Sequence, residues 1–134
     1  MMLETGIKGK QTITVNHEQT AAFYGSGALE VFATPAMIAL LEETAWKSVQ
    51  PFLDAGLGTV GTRVDARHLA ATPLGMQVTC ESELVEIDRR RLVFRVEIFD
   101  ASGKIGEGTH ERFIIQNDRF FAAANAKKPQ EGEH

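Results

Sequence analysis

Two glutamates, Glu42 and Glu43, stand side by side in a mostly apolar run, FATPAMIALLEETAWKSVQPFL, Phe32–Leu53. A helix that greasy finds solvent for one carboxylate more easily than for two, so one of the pair is a candidate for chemistry. The plainer alternative is that both are surface residues. His68 ends an apolar strand face just before the turn AATP. Imidazole is the side chain best suited to proton transfer near neutral pH, particularly with a carboxylate to orient it; a histidine there is otherwise a hydrogen-bonded core residue. Thr34 precedes a proline at the head of the apolar run. Capping explains it without any activity, while a hydroxyl among unpaired helix N–H groups also lies where an oxyanion could be stabilised. Finally, GEGTHER (Gly106–Arg112) puts two glycines, His110 and Arg112 on one strand face. Glycines inside a strand imply close approach by another backbone or a ligand. Arg112 could bind an anionic or carbonyl group, its alternative being a solvated strand arginine.

The elements that must position these residues follow from periodicity. Ile38, Leu41, Ala45, Val49 and Phe52 recur at helical spacing, with Thr34 as N-cap, Pro35 as first helical residue and Gly56 and Gly58 as the stop. Gln11–Val15 alternates and is rich in β-branched residues, a strand. His17–Gly27 reads as a loop or a short helix. Thr59–Leu69 reads as a strand with Val60, Thr62, Val64, Ala66 and His68 on one face. Three more strands follow, Met76–Ile87, Leu92–Phe99 and Ile105–Gln116, joined by turns at Asp88–Arg91 and Ala101–Gly103. In the first the inward set is Met76, Val78, Cys80, Ser82 and Leu84; in the second it is Leu92, Phe94, Val96 and Ile98. Half-buried strands joined by hairpins, plus one long helix, specify an α+β domain with an antiparallel sheet wrapping the helix.

A chain of 134 residues has room for one core, expected here over residues 1–125, with 126–134 a solvated tail. A net charge of −4 argues against nucleic acid. No apolar run is long enough to span a bilayer, and the lone Cys80 suits a reducing compartment, so a cytoplasmic protein is expected. No GxGxxG, P-loop, GxSxG or metal-spaced His/Cys cluster occurs, and His17, His68, His110 and His134 are too scattered for zinc.

Taken together, FATP-A-M with a glutamate eight residues after the threonine, then H-L-AATPLG, then GEGTHER, resembles the fluoroacetyl-CoA-thioesterase-like branch of the hotdog superfamily, from about Glu30 to Arg112. The resemblance implies a hotdog fold and hydrolysis of short acyl-CoA thioesters. It implies a homodimer or tetramer with active sites at the subunit interface, and no cofactor beyond the CoA of the substrate. By matching positions it implies catalytic roles for Thr34, Glu42 and His68 and substrate contact by Gly61 and Arg112. Where the fluoroacetate-resistance enzyme carries lid phenylalanines before its helix, this chain reads YGSGALEVF, with Gly25 and Ala28 at the matching positions. That implies a more open pocket for another small acyl group.

The mechanism expected on that basis has His68 as general base, oriented by Glu42 and activating Thr34 or a water. Ala36, Met37 and Gly61 N–H groups are the candidate oxyanion donors. Its rival makes Glu42 the direct nucleophile or base. One helix holding both Thr34 and Glu42 separates them by about 12 Å, so a bridge by His68, a chain reversal before Pro35 or a second subunit is needed. Arg89–Arg91 and Lys127–Lys128 are the basic clusters available to CoA phosphates. A hydratase, the other hotdog chemistry, lacks its Asp/His pattern here; a dimer that binds acyl-CoA or another small molecule without turnover is the non-enzymatic alternative.

Overall fold

Alternation with period two runs through five strands, β1 (Lys8–Thr14), β2 (Leu57–His68), β3 (Gln77–Asp88), β4 (Arg91–Asp100) and β5 (Gly103–Gln116), in a computed structural model that describes residues 2–129. They form one antiparallel sheet in the order β1-β3-β4-β5-β2. Helix α2 (Thr34–Val49) lies on one face of it. Met37, Leu40, Leu41, Ala45 and Val49 of α2 are buried against Val78, Cys80, Leu84, Leu92, Phe94, Val96 and Ile98, and each large side chain so covered contributes about 2 kcal/mol. The inward sets expected for β3 and β4 are the ones observed, apart from Met76, which lies just before β3 and is half-buried. The α+β hotdog arrangement follows, with β1 and β2 as its two edges.

Three details depart from the periodicity. First, α2 is shorter than the apolar run. Its N-cap is Ala33, Thr34 is already helical, and no side chain caps the end. Second, α2 stops at Val49 rather than near Gly56: Pro51 cannot donate an N–H, and Gln50–Phe52 tightens into a 3₁₀ turn. Gly56, at φ +84°, instead turns the chain into β2. Third, the β2–β5 register slips between Gly61 and Arg63. This bulge leaves Thr62 unpaired and reverses the side-chain alternation. Thr59 and Gly61 therefore share the helix-facing side with Val64, Ala66 and His68, and Val60 and Thr62 do not.

The segment His17–Gly27 forms a 3₁₀ turn (His17–Gln19) and a short helix α1 (Ala21–Tyr24). A further helix, α3 (Asn117–Asn125), follows β5 directly. Of the expected tail, 126–129 are exposed and 130–134 lie outside the described residues. Among the described residues no helix is long and apolar enough to cross a membrane.

Candidate active site

Freed from capping, the Thr34 hydroxyl does something else: it lies 2.8 Å from His68 Nδ1. Both partners are pinned from behind. Phe32 N–H donates to Thr72 O (2.8 Å) and Ala33 N–H to Gln19 O (2.9 Å), fixing the entry to α2. His68 is the last residue of β2, paired with Gly106 of β5. The next amide, Leu69 N–H, donates to Ile105 O (2.7 Å), and Thr72 Oγ1 donates to Asp100 (2.8 Å), tying the AATP turn to β4. The buried Phe32 ring meets the imidazole edge-on, centroids 6.2 Å apart. Burial pushes the His68 imidazole below its ordinary value, against the upward pull of the Ala70 backbone. It is therefore neutral at pH 7 and able to accept a proton. When Nδ1 accepts the Thr34 hydroxyl proton, Nε2 carries the ring proton; Nε2 is buried with no hydrogen-bond partner among the described residues.

Beside this pair opens a cleft of about 390 Å³ lined by Val31, Phe32, Thr34, His68, Leu69 and Ala71, among others. Phe32 lies at its base. Gly25 ends α1 in the left-handed region (φ +74°) and Phe23 is 56% exposed, so neither α1 nor the loop after it sets an aromatic ring among the cleft-lining residues.

Glu42 is elsewhere. Its Oε2 accepts from Arg112 Nη1 at 3.4 Å and lies 4.0 Å from His110 Nε2. Within one chain Glu42 does not reach His68, and two helical turns of α2 keep it from Thr34, so of the three ways of joining them His68 does not act as a bridge inside a single protomer. The adjacent Glu43 is absorbed by structure, accepting from Gln11 and pairing with Lys47 at 3.3 Å, with Gln11 the main cause of its lowered pKa.

Around Glu42 the strands build a charged nest. Arg112, only 6% exposed, is no solvated strand arginine. It donates Nε–H to Thr59 Oγ1 (2.7 Å), Nη2 to Thr59 O (3.0 Å) and Nη1 to His110 Nε2 (3.1 Å). A guanidinium only donates, so His110 Nε2 accepts, and its Nδ1–H donates to Arg63 O at 2.7 Å. His110 is thus a neutral, fully buried link between the β2 bulge and Arg112. Burial is the chief cause of its lowered pKa, with Arg112 acting in the same direction and the Arg63 carbonyl against it. Gly61, opposite Arg112, has no room for more: a Cβ there would lie 2.6 Å from Glu42 Oε2 and 3.2 Å from both Arg112 Nη1 and His110 Cε1.

One chain therefore assembles two groups, Thr34 with His68 and Glu42 with Gly61 and Arg112, and does not bring them together. Of the three suggested oxyanion donors, Met37 N–H is excluded, since it donates to Ala33 O (3.0 Å). Sequence reasoning gave no role to His110 or Thr59. Strand parity with Arg112 was the signal for the histidine; nothing signals Thr59, because the bulge sets its face.

Known proteins resemble this chain in sequence and in fold. Residues 15–118 match the family model described as fluoroacetyl-CoA-specific thioesterase. A fluoroacetyl-CoA thioesterase of Streptantibioticus cattleyicolor is 42% identical over 100 residues, covering 75% of this chain and 72% of the relative. A solved structure of the fluoroacetyl-CoA thioesterase superposes with a TM-score of 0.88 at 34% identity, covering 95% of this chain and 98% of the other. A hot-dog-like protein from Thermanaerovibrio acidaminovorans shares the fold alone, at TM-score 0.87, 20% identity and 96% coverage of both chains.

Proposed function

The chain belongs to the fluoroacetyl-CoA-specific thioesterase family, and from that premise we propose that it hydrolyses the thioester of a small acyl-CoA in a site completed across a homodimer. The observation that carries this is the Thr34–His68 hydrogen bond at the head of α2, beside an open cleft. A thioester is already a good electrophile, so a neutral imidazole and an oxygen nucleophile suffice. His68 Nδ1 takes the proton as that nucleophile, the Thr34 hydroxyl or a water beside it, attacks the carbonyl carbon. The charge that develops on the carbonyl oxygen is met by N–H groups, Ala36 in the first turn of α2 being one donor. Collapse breaks the C–S bond, and His68 returns the proton to the departing sulfur. On the threonine route, water then cleaves the acyl ester by the same steps.

Symmetry supplies the missing carboxylate. On α2, Ile38 lies midway between Thr34 and Glu42; on β2, Val64–Asp65 lies midway between Gly61 and His68. The Thr34 end of α2 faces His68 and the Glu42 part faces Gly61, so helix and strand run antiparallel and both midpoints fall at one level. A two-fold axis through that level pairs the β2 edges. It carries Glu42, Gly61 and Arg112 of each protomer to Thr34 and His68 of the other. The half-buried stripe Ile38, Glu42 and Trp46 on the uncovered side of α2 lies at the same junction. The acyl pocket lacks an aromatic lid, which favours a small acyl group other than fluoroacetyl, and the free Cys80 fits a cytoplasmic setting.

The test is hydrolysis of a short-to-medium acyl-CoA panel by purified protein, read as free CoA thiol. Cys80 adds little background, because burial pushes its thiol up to about 11. Turnover of one acyl class, reduced about 10²–10⁴-fold by His68→Ala, is the expected result. Tight acyl-CoA binding without turnover would replace hydrolysis with sequestration.

A further inference from the structure

A nucleotide-sized cleft lies at the far end of β2. It measures about 340 Å³ and is lined by Leu57, Ile114, Arg90, Arg119 and Phe120 with their neighbours, within the size range of small-ligand sites. Both arginines are held by their backbones. Arg90 sits in the β3–β4 turn, where its carbonyl accepts Ile114 N–H at 2.8 Å. Arg119 lies in the first turn of α3, its N–H donating to the Gln116 side chain at 2.7 Å. Among the described residues neither guanidinium pairs with a carboxylate, whereas Arg91, next in sequence, is consumed by Glu111 (2.7 Å) and Glu86 (2.9 Å). Thus the run Arg89–Arg91 is not one cluster: the fold takes Arg91 out of it and brings Arg119 to Arg90.

Two unpaired guanidiniums above an apolar floor, with a Phe120 ring 46% exposed, make a surface for a phosphorylated purine. Guanidinium binds phosphate oxygens in bidentate fashion, and the ring offers a stacking face. A larger cleft, of about 440 Å³, has Lys8, Lys10 and Arg95 but sets Glu81, Glu83 and Glu97 among them, so its charges cancel.

We propose that this cleft binds the phosphorylated adenosine end of coenzyme A. The inference rests on the dimeric thioesterase reading above. In that dimer β2 of one protomer runs antiparallel to β2 of the other, with Gly61 of one beside His68 of its mate. Leu57, four residues and about 13 Å of strand further on, then extends past the Leu69–Ala71 edge of the acyl cleft. That span is of the order of an extended pantetheine arm, so one substrate reaches from the Thr34–His68 pair of one protomer to Arg90 and Arg119 of the other.

The experiment is calorimetric titration of the full chain, wild type and Arg90→Ala/Arg119→Ala, with coenzyme A and separately with pantetheine, which lacks the nucleotide. Hydrolysis of the best acyl-CoA of the panel and its acyl-pantetheine counterpart is followed in parallel. Removing two charge-assisted contacts should weaken coenzyme A about tenfold or more, raise KM for the acyl-CoA alike, and spare pantetheine; Lys at both positions should restore part of the loss. An unchanged affinity, equal losses for both ligands, or no coenzyme A binding by wild type would overturn the proposal. Arginine-dependent coenzyme A binding without thioester turnover would keep this site and remove the hydrolase reading.

Discussion

The proposed division of the site between protomers makes a quantitative prediction about mixed dimers. His68→Ala removes the proposed base; Glu42→Gln removes the carboxylate but keeps its shape. Each homodimer has a broken residue in both sites and should lose about 10²–10⁴-fold in kcat. If Glu42 serves the opposite protomer, a hybrid carries both lesions in one site and none in the other. Random reassortment makes about half the dimers hybrids with half their sites intact, so a one-to-one mixture should recover about a quarter of wild-type activity. If Glu42 serves its own chain, every site in the hybrid retains one lesion and recovery is nil.

The structure favours the first outcome. Eight residues of helix set Thr34 and Glu42 about 12 Å apart, and Glu42 is already engaged by Arg112 rather than by His68. The assay mixes the two variants, unfolds and refolds them together, confirms hybrids by native mass spectrometry, and measures acyl-CoA hydrolysis. Hybrids present with activity no higher than the homodimers would refute the shared site.

Two further outcomes follow from the nest and the base. Gly61→Ala puts a Cβ 2.6 Å from Glu42 Oε2, some 0.8 Å inside ordinary contact, and the carboxylate must retreat; displacement on the order of 1 Å costs about 10²-fold, so kcat should fall about that much while Tm moves only a few degrees. Wild-type kcat in a folded variant would show that Glu42's placement is irrelevant. For pH, the folded pKa of His68 lies below its ordinary 6.5, so kcat/KM should rise with a midpoint below about 6.5 and be level at pH 7. Stability shares the sign. The unfolded state binds more protons than the folded one between the two pKa values of His68 and of His110, so stability is full above about 6.5 and declines as pH falls toward the lowered folded values. A flat Tm from pH 7 to 5 would contradict both depressions.

Which parts of this were legible before folding depends on where the constraint resides. Strand faces in β3 and β4 were readable because one face meets α2 and the other water, so period two survives in the residues themselves. Gly106 and Gly108 were readable as close approaches, and a Cβ on Gly106 would indeed lie 2.6 Å from Met37 Sδ. The faces of Val60 and Thr62 were not, because the bulge that turns them outward is held from another strand, by His110 on Arg63 O. The choice between Glu42 and Glu43 was equally hidden. It is made by Gln11, Lys47 and Arg112, of which only Lys47 is helix-local. Thr34 was placed one residue off its helical position, an ordinary boundary error, yet the candidate oxyanion region survived because Ala36 N–H remains in the first turn. The C-terminal helix carries no apolar stripe into the core, with Phe120 and Phe121 exposed, so hydrophobic periodicity had nothing to report.

On the proposed dimer, catalysis and association should be inseparable. β2 is a twelve-residue edge strand, with main-chain groups available to another chain, and the stripe Ile38, Glu42 and Trp46 on α2 is only half covered. A monomer would leave both features open, and would also leave His68 without any carboxylate to hold its cation during turnover. The proposed pairing through β2 would remove the edge, cover the stripe and bring Glu42 towards His68 in one step. Arg112 fits this scheme better than a purely structural role would require. A buried arginine is a poor stabiliser compared with an apolar residue of its size, but here it holds Glu42 through one Nη1 contact while three other hydrogen bonds anchor it to Thr59 and His110. In the proposed dimer, the buried charge on β5 aims a carboxylate out of one protomer and into the other.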